Sequence, residues 1–106
     1  MEIKGRKDDS DKIRMDLLPF ESLEAVAKVL TFGAKKYADN NNWQKVDGAE
    51  SRYAGALLRH LSKYLQGEKF DAESGLSHLS HAATNTLFLV WFEENKRKDE
   101  NNVLTK

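Results

Sequence analysis

The chain of 106 residues contains no cysteine, one proline and six glycines. The absence of cysteine excludes a disulfide scaffold, a thiolate metal site and a cysteine nucleophile. The scarcity of proline and glycine leaves few positions at which a helix is interrupted. No apolar run approaches the roughly 20 residues that a membrane-spanning helix needs, and the N-terminal residues lack the apolar segment of a signal peptide. We therefore expect a cytoplasmic protein that does not enter a membrane.

An excess of charge of one sign is also lacking, because 17 lysine and arginine residues balance 17 aspartate and glutamate residues. Proteins that bind duplex nucleic acid usually carry an excess of cations, which displaces counterions from the phosphates. The balance therefore predicts no duplex nucleic acid partner, although a local basic groove remains open. The length suits one domain with a single modest core.

Charged residues of mixed sign, without apolar periodicity, occupy both ends of the sequence. We interpret residues 1–14 as a charged N-terminal arm and residues 97–106 as a polar C-terminal tail. Residues 15–96 between them form the predicted domain. In this domain apolar residues recur at helical spacing, and no alternation typical of a strand persists for more than a few residues. The expected fold is therefore all-α.

The predicted domain is a bundle of three long helices and one short helix. Proline suits the first turn of a helix, serine is a favourable N-cap, and glycine often follows the last turn. These signals predict a first helix from Pro19 to Gly33, a short helix at 34–38, a second long helix from Ser51 to Leu65 that stops at Gly67, and a third long helix that opens at 71–74 and ends near Lys96.

The third predicted helix is the most apolar segment of the sequence, since residues 87–92 are apolar around its whole circumference. Two neighbouring helices do not suffice to cover such a surface. We therefore expect a homo-oligomer, either a dimer or a tetramer, in which helices of several copies complete the core, with a compact monomeric bundle as the alternative. The face of this helix that we expect to be buried consists of Leu76, Leu79, Ala83, Leu87 and Val90.

The same helix carries a line of three polar residues. His78, His81 and Asn85 are spaced three and four residues apart, so they share one face of the helix. Two neutral imidazoles one turn apart can bind a divalent metal. Alternatively, each histidine is a polar core residue that is hydrogen-bonded to a neighbour. Polar groups in an apolar helix reduce stability unless they are satisfied, and a ligand that faces them would explain their presence.

A pair of carboxylates lies in the first turn of the first helix. Glu21 and Glu24 are three residues apart and therefore lie on one helical face. Paired carboxylates can hold a hard cation such as Mg²⁺ or Mn²⁺. The alternative needs no ligand, because glutamate in a first turn interacts favourably with the positive end of the helix dipole.

Basic and aromatic residues cluster around the segments that connect the helices. Arginine and lysine can pair with phosphates, and an aromatic ring can stack on a base. Each of these residues, taken alone, is also compatible with a solvated charge or a core ring. The candidate substrate-binding residues are Lys35, Lys36, Tyr37, Asn42, Trp43, Arg52, Arg59, His60 and, from the polar line, Asn85.

Several motifs resemble those of a known family in their order and spacing. They are Lys12-Ile13-Arg14-Met15-Asp16-Leu17-Leu18-Pro19, Thr31-Phe32-Gly33-Ala34-Lys35-Lys36-Tyr37, Asn42-Trp43, Arg52-Tyr53, Leu58-Arg59-His60, and the segment from Asp71 to Ala82 followed by Asn85. Over about residues 12–93, the sequence resembles the phage dATP/dGTP diphosphohydrolase (N-terminal domain) family, which is similar to the MazG-like all-α nucleoside triphosphate pyrophosphohydrolases.

The resemblance implies hydrolysis of a purine deoxynucleoside triphosphate, dGTP or dATP, to the monophosphate and pyrophosphate by a helical oligomer that uses Mg²⁺ or Mn²⁺. Such an activity would remodel the nucleotide pool in the cytoplasm of an infected cell. MazG-like enzymes usually hold metal with Glu-Glu-x-x-Glu and Glu-x-x-Asp helices, where this chain has Glu21-Ser22-Leu23-Glu24 and His78-Leu79-Ser80-His81. Imidazoles in place of carboxylates favour Mn²⁺ or another transition metal over Mg²⁺.

The resemblance also suggests roles for individual residues. The predicted metal ligands are Glu21, Glu24, Glu73, His78 and His81, of which Glu24, Glu73 and His78 are also the predicted catalytic residues. The candidate substrate-binding residues named above would bind the nucleotide. The alternative function is a module that binds a nucleotide or cyclic nucleotide without turnover. A third hypothesis is a helical interaction protein without a small ligand.

Overall fold

The computed structural model describes the backbone of residues 4–105 and the side chains of residues 4–100. Two single turns of 3₁₀-helix occur, at Met15–Leu17 and at Asn42–Gln44. Since no β-strand occurs between residues 4 and 105, the all-α prediction is confirmed. In the same part of the chain, no helix combines the length and the apolar character that crossing a membrane requires. The three long helices are α1 (Phe20–Tyr37), α2 (Ala49–Leu65) and α3 (His78–Thr105).

Helix α1 begins directly after Pro19 and is longer than predicted. It passes through Gly33, the predicted end, and includes residues 34–37, so the prediction of a separate short helix was wrong. Glycine in a helix interior costs only about 1 kcal/mol relative to alanine, and two lysines in the last turn interact favourably with the helix dipole. The helix ends where Ala38 adopts a left-handed conformation (φ 52°) and its amide donates to the carbonyl of Ala34.

Helix α2 begins at Ala49, before the predicted Ser51, because Gly48 turns the chain at a positive φ of 64°. A residue with a side chain is strained in this left-handed region, whereas glycine adopts it readily. The predicted end of the helix is confirmed. Its last residue is Leu65, and Gly67 follows with a φ of 97°.

Helix α3 begins at His78, so the predicted opening at residues 71–74 was wrong. The hydroxyl of Ser77 caps the helix by accepting hydrogen bonds from two amides of the first turn, at 3.1 and 3.4 Å. Residues 71–74 belong instead to a tight turn, in which Gly75 has a φ of 72°. Aspartate and serine favour turns and helix caps alike, and here the turn precedes the true cap.

At its other end, helix α3 continues to Thr105, past the predicted end near Lys96. The segment predicted as a tail is therefore helical as far as it is described, and residue 106 lies outside the described part of the chain. Residues 1–3 of the predicted N-terminal arm also lie outside it. The remainder of that arm, residues 4–14, contains no helix and is exposed throughout. The division of the chain into an arm, a domain and a tail stays a prediction.

Helix α3 packs against both other helices, and more extensively against α2 than against α1. The apolar face predicted from the sequence is exposed in a single chain, since Leu79, Leu87 and Val90 keep 44%, 41% and 49% of their surfaces accessible. Helices α1 and α2 contact the other side of α3, so the expectation that further copies of the chain cover the apolar face stays a prediction. The residues that α3 buries are His78, His81, Ala82, Thr84, Asn85 and Phe88.

An aromatic cluster joins the connection between α1 and α2 to α3. Trp43 stacks on Phe88 with 4.3 Å between ring centroids and meets Trp91 edge-on at 5.0 Å. The hydroxyl of Tyr53, on α2, donates to the carbonyl of Trp43 at 2.8 Å. The cluster therefore fixes the connection against α2 and α3, and three of its rings form part of the wall of a cavity.

Candidate functional site

A cavity of about 400 Å³ lies between α1, the α1–α2 connection, α2 and α3. Its volume falls within the range of about 300–1,000 Å³ that is typical of small-molecule sites. The predicted site residues that line it are Lys36, Tyr37, Asn42, Trp43, Arg52, Arg59, His60, Glu73, His81 and Asn85. The predicted site residues that do not line it are Glu21, Glu24, Lys35 and His78.

The three histidines of the chain form one cluster beside this cavity. The rings of His60, on α2, and His81, on α3, stack in parallel with 4.5 Å between centroids and 10° between planes. His78 lies next to them and is only 2% exposed. Its Nδ1 is 2.9 Å from the Nδ1 of His60, which is short enough for one shared hydrogen bond. Packing of α2 against α3 therefore brings together residues that are distant in sequence.

The hydrogen bonds of His78 determine where its ring proton lies. Its Nε2 is 2.6 Å from Oε2 of Glu68. The hydrogen bond with His78 and the charge of Lys63 lower the pKa of Glu68, so this carboxylate is ionised at neutral pH and only accepts hydrogen bonds. A neutral His78 must therefore donate its Nε2 proton to Glu68, and its Nδ1 accepts the Nδ1 proton of His60. The Nε2 of His60 then carries no proton.

A second chain of hydrogen bonds orients His81. Asp71 lies in the turn before α3, where its Oδ2 accepts hydrogen bonds from the amide and the hydroxyl of Ser74, at 2.9 and 3.0 Å. The same hydroxyl is 2.7 Å from the Nε2 of His81. This hydroxyl has one proton, which it donates to the charged carboxylate because that group is the stronger acceptor. The Nε2–H of His81 therefore donates to the hydroxyl oxygen of Ser74. The Nδ1 of His81 is thus left unprotonated.

The contact between Ser74 and His81 is not a nucleophilic triad. In a triad the carboxylate binds the second nitrogen of the histidine, and the histidine accepts the serine proton. Here Asp71 accepts the hydrogen bond of the serine itself, and its Oδ2 is 3.9 Å from the Nε2 of His81. Ser74 therefore links the carboxylate to the imidazole and is not activated for attack.

The cavity favours the neutral form of its histidines. Burial lowers the pKa of His60, and the nearby His81 lowers it further. Burial also lowers the pKa of His81 and outweighs the opposing effect of Asp71. Both rings are therefore neutral at pH 7 and suited to bind a metal or accept a proton. Burial acts to raise the pKa of Asp71. The hydrogen bonds from Ser74 and the electrostatic effect of His81 and His60 outweigh burial, so the pKa of Asp71 is lowered.

His60, His78 and Asp71 form a candidate metal site. One nitrogen of each histidine and one carboxylate oxygen of Asp71 lie within 4.8 Å of one another. Two nitrogens that bind one ion at about 2.1 Å are about 3 Å apart when they subtend a right angle. The two Nδ1 atoms are 2.9 Å apart, so the pair fits this spacing. A donor set with two imidazoles suits a transition metal better than Mg²⁺, which prefers oxygen ligands.

The carboxylates predicted on α1 are not part of this cluster. Glu24 exposes 73% of its side chain, and its nearest charged partner is Lys28, 4.0 Å away and one turn along the same helix. Glu21 is exposed as well. Helix α1 instead buries the side that carries Val29, which directs both carboxylates to the solvent. The structure therefore does not bring these two carboxylates to the histidines of the same chain, and their role as metal ligands stays a prediction.

The other predicted metal ligands lie close to the cluster. Glu73 lines the cavity, but its carboxylate forms an ion pair with Lys36 of α1. His78 belongs to the candidate metal site, whereas His81 stacks beside it on His60. The prediction that His78, His81 and Asn85 share one helical face is confirmed, since all three are buried on the same side of α3.

Two arginines of α2 line the cavity on the same side as His60. Arg52 and Arg59 are both exposed, and neither forms an ion pair with another residue of the described chain. Two cationic side chains are therefore available to an anion in the cavity. Lys35, by contrast, does not line the cavity, although it is adjacent in sequence to Lys36.

The residues predicted to contact a base differ in what they offer. Tyr37 lines the cavity and remains 55% exposed, whereas Trp43 has one face covered by Phe88. The Nδ2 of Asn85 donates to the carbonyl of His81 at 2.8 Å. Asn85 is buried, with 7% of its surface exposed, and it lines the cavity.

Reasoning from the sequence missed Glu68, Asp71 and Ser74. All three lie in the connection between α2 and α3, so their contacts with the histidines depend on the fold of this connection and not on a shared helix. This connection is held by backbone hydrogen bonds that link Asp71 to Leu76 and His78 to Lys69, both at 2.8 Å. The one available signal was the presence of acidic residues shortly before a pair of histidines.

Comparisons with known proteins identify relatives of this chain. The family model described as dATP/dGTP diphosphohydrolase, N-terminal, matches residues 2–102. The dATP/dGTP diphosphohydrolase of Salmonella phage PMBT28 is 34% identical to the chain over 94 residues, which are 87% of this chain and 31% of that relative. The chain therefore spans less than a third of the length of this relative. No solved structure matches the chain.

Proposed function

The chain belongs to the dATP/dGTP diphosphohydrolase, N-terminal, family, and from this premise we propose that it hydrolyses a purine deoxynucleoside triphosphate to the monophosphate and pyrophosphate. The matched relative is much longer than this chain, so the proposal depends on the geometry of the site. The observation that carries it is the meeting of a histidine–aspartate cluster and two arginines at one cavity.

His60, His78 and Asp71 would hold a divalent metal. A bound ion supplies positive charge that offsets the negative charge of the phosphates during phosphoryl transfer. Of the two metals expected from the sequence, Mn²⁺ fits this donor set better than Mg²⁺, because imidazole is a poor ligand for Mg²⁺. The ionised Asp71 adds the one negative charge of the three ligands.

Arg52 and Arg59 would bind the phosphates. A guanidinium forms two parallel hydrogen bonds with a phosphate and stays charged at any accessible pH. Because Arg59 and His60 both line the cavity, a phosphate on this arginine would lie near the histidine cluster. Lys36 would contribute when Glu73 releases it, since the two side chains form an ion pair.

His81 would accept the proton of the attacking water. The water oxygen forms a bond to the α-phosphorus, the bond from this phosphorus to the bridging oxygen breaks, and pyrophosphate leaves with the electron pair. The Nδ1 of His81 suits this role because it is unprotonated and because burial, by lowering the pKa, keeps the ring neutral at pH 7. Ser74 and Asp71 would stabilise the imidazolium that forms.

Tyr37 and Asn85 would contact the base. The exposed ring of Tyr37 would stack on a purine, and the Oδ1 of Asn85 would accept a hydrogen bond from an N–H group of its edge. Asn42, which also lines the cavity, offers a second amide. Both guanine and adenine carry an exocyclic amino group, which agrees with a substrate that is either dGTP or dATP.

A product assay tests the proposed function. The purified chain is incubated with each of the four deoxynucleoside triphosphates and either Mn²⁺ or Mg²⁺, and the products are separated by chromatography. We expect equal amounts of purine monophosphate and pyrophosphate, formed faster with Mn²⁺. Nucleotide binding without products would instead support the non-catalytic module, and the absence of both would support a helical interaction protein.

One arginine variant and one lysine variant sharpen this assay. Arg59→Ala removes a charged hydrogen bond worth about 1.5–3 kcal/mol, so kcat/KM should fall by roughly 10- to 150-fold. Lys35→Ala removes an equal charge at a position outside the cavity and should leave kcat/KM unchanged. Equal losses in the two variants would show that only the overall charge matters.

The predicted homo-oligomer stays a prediction, and the exposed apolar side of α3 supports it. This side carries Leu79, Leu87 and Val90, which neither α1 nor α2 covers. A second copy that packs on this side would bury the apolar surface. A cytoplasmic location and the lack of a duplex nucleic acid partner also stay predictions.

A further inference from the structure

We propose that Glu68 is a positioning residue that sets the tautomers of His78 and His60 and thereby prepares this pair to bind a divalent transition metal. The role toward the metal rests on the proposed function, whereas the tautomers are a property of the metal-free chain. Glu68 itself is not a ligand, because its carboxylate contacts the outer nitrogen of His78 and not the space between the two rings.

The chain holds Glu68 in place from two sides. The amide of His78 donates to the carbonyl of Lys69 at 2.8 Å, which fixes the backbone next to Glu68 against the start of α3. The Nζ of Lys63 lies 3.5 Å from the Oε2 of Glu68, the oxygen that also accepts from His78. The carboxylate is 56% exposed, while the ring of His78 is 2% exposed. A carboxylate at the surface is therefore in direct contact with a buried imidazole.

When both rings are neutral, two arrangements of the ring protons satisfy the contact between His60 and His78 equally well. The 2.9 Å between their Nδ1 atoms admits one proton, which belongs to either ring. When His78 carries it, the Nδ1 of His78 is blocked, because a metal binds only an unprotonated nitrogen. When His60 carries it, the Nε2 of His78 is protonated and needs an acceptor. Glu68 supplies that acceptor at 2.6 Å and so selects the second arrangement.

The selected arrangement leaves little to change when a metal binds. His78 already presents an unprotonated Nδ1, and its Nε2 keeps its proton, which it donates to Glu68. His60 moves its proton from Nδ1 to its unprotonated Nε2, so the ring remains neutral and no proton is lost. A carboxylate that accepts from the outer nitrogen of a metal-binding histidine fixes the ring and raises its basicity, and removing such a partner usually weakens metal binding by about 10- to 100-fold.

The test compares the metal-free tautomers and the Mn²⁺ affinity of the whole chain with those of Glu68→Gln. Long-range ¹H–¹⁵N correlation spectra report which ring nitrogen carries the proton, and electron paramagnetic resonance of free Mn²⁺ gives the affinity. We expect the wild-type chain to carry its protons on the Nε2 of His78 and the Nδ1 of His60. In Glu68→Gln we expect both tautomers of His78 and an affinity for Mn²⁺ that is about 10- to 100-fold lower.

Two control variants separate this role from charge and packing. Glu50→Gln removes the same charge from α2, at a residue that pairs with Lys96, and should leave the affinity unchanged. Lys63→Ala removes the second partner of Glu68 and should leave the tautomers unchanged. Circular dichroism checks that each variant is folded. An unfolded Glu68→Gln variant would contradict the proposal, because a carboxylate that is more than half exposed is assigned a positioning role and not a structural one.

The possible results distinguish this role from the proposed function. Unchanged tautomers in Glu68→Gln would overturn the role of Glu68, even if the chain hydrolyses nucleotides. Changed tautomers with an unchanged affinity for Mn²⁺ would overturn it as well, and so would a wild-type chain that binds no Mn²⁺. Conversely, a chain with the expected tautomers and affinities that releases no nucleotide product would overturn the proposed function alone.

Discussion

Replacing Ala38 with glycine should stabilise the chain, because Ala38 has a left-handed backbone at the end of α1 (φ 52°, ψ 35°). This conformation costs a residue with a Cβ atom roughly 1–2 kcal/mol, whereas glycine adopts it freely. The greater freedom of glycine in the unfolded chain offsets about 0.5–1 kcal/mol of this gain. Ala38 is exposed, so its methyl group contributes little to packing. The free energy of unfolding should therefore rise by about 0.5–1 kcal/mol.

The same substitution within α1 provides a control of opposite sign. Ala27 is also exposed, but it lies inside the helix, where glycine costs about 1 kcal/mol. Thermal unfolding followed by circular dichroism, at one protein concentration, should raise the midpoint by about 2–6 °C for Ala38→Gly and lower it by a similar amount for Ala27→Gly. A destabilised Ala38→Gly, or equal effects at both positions, would refute the reasoning.

Acidification from pH 7 to pH 5.5 should destabilise the metal-free chain. Burial lowers the pKa of His60 and His81 in the folded chain. The unfolded chain therefore takes up protons at a higher pH than the folded chain, which favours unfolding. This contribution to stability is present above the ordinary histidine pKa of about 6.5 and is lost as the pH falls below it. Urea unfolding in the presence of a chelator measures the free energy of unfolding at each pH. A free energy that stays constant or rises on acidification would contradict the burial of these rings. Leu87→Glu places a charge on the exposed apolar side of α3 and should convert a dimer or tetramer to a monomer by light scattering. Ser51→Glu, which places the same charge at an exposed residue of α2, is its control, and an unchanged mass in Leu87→Glu would remove α3 from the interface.

The helical architecture was predictable because it depends on local signals. Apolar spacing marks each helix, and Gly67 marks the end of α2 correctly. Local signals failed where two structures compete for the same residues, as at Asp71 and Ser74, which resemble a helix cap but form a turn closed by Gly75. The buried face of α3 was not predictable either. Its apolar residues surround the helix, so the sequence pattern does not indicate which side the neighbouring helices contact.

The candidate site was predictable only in part, for a related reason. Helical spacing correctly places His78 and His81 on one face, but it carries no information about residues on other elements. His60 reaches His78 through the packing of α2 against α3, and Glu68 and Asp71 reach the histidines through the fold of a connection. The two carboxylates of α1 were an ambiguous signal, because a helix dipole explains acidic residues in a first turn as well as a metal does.

The central claim is that His60 and His78 bind one divalent metal ion. Pulsed electron paramagnetic resonance of bound Mn²⁺ tests it most directly, since imidazole nitrogens that coordinate the ion give resolvable couplings. We predict couplings from two imidazole nitrogens in the wild-type chain and from one in His60→Ala. A bound ion without nitrogen couplings, or a spectrum that His60→Ala leaves unchanged, would contradict the claim.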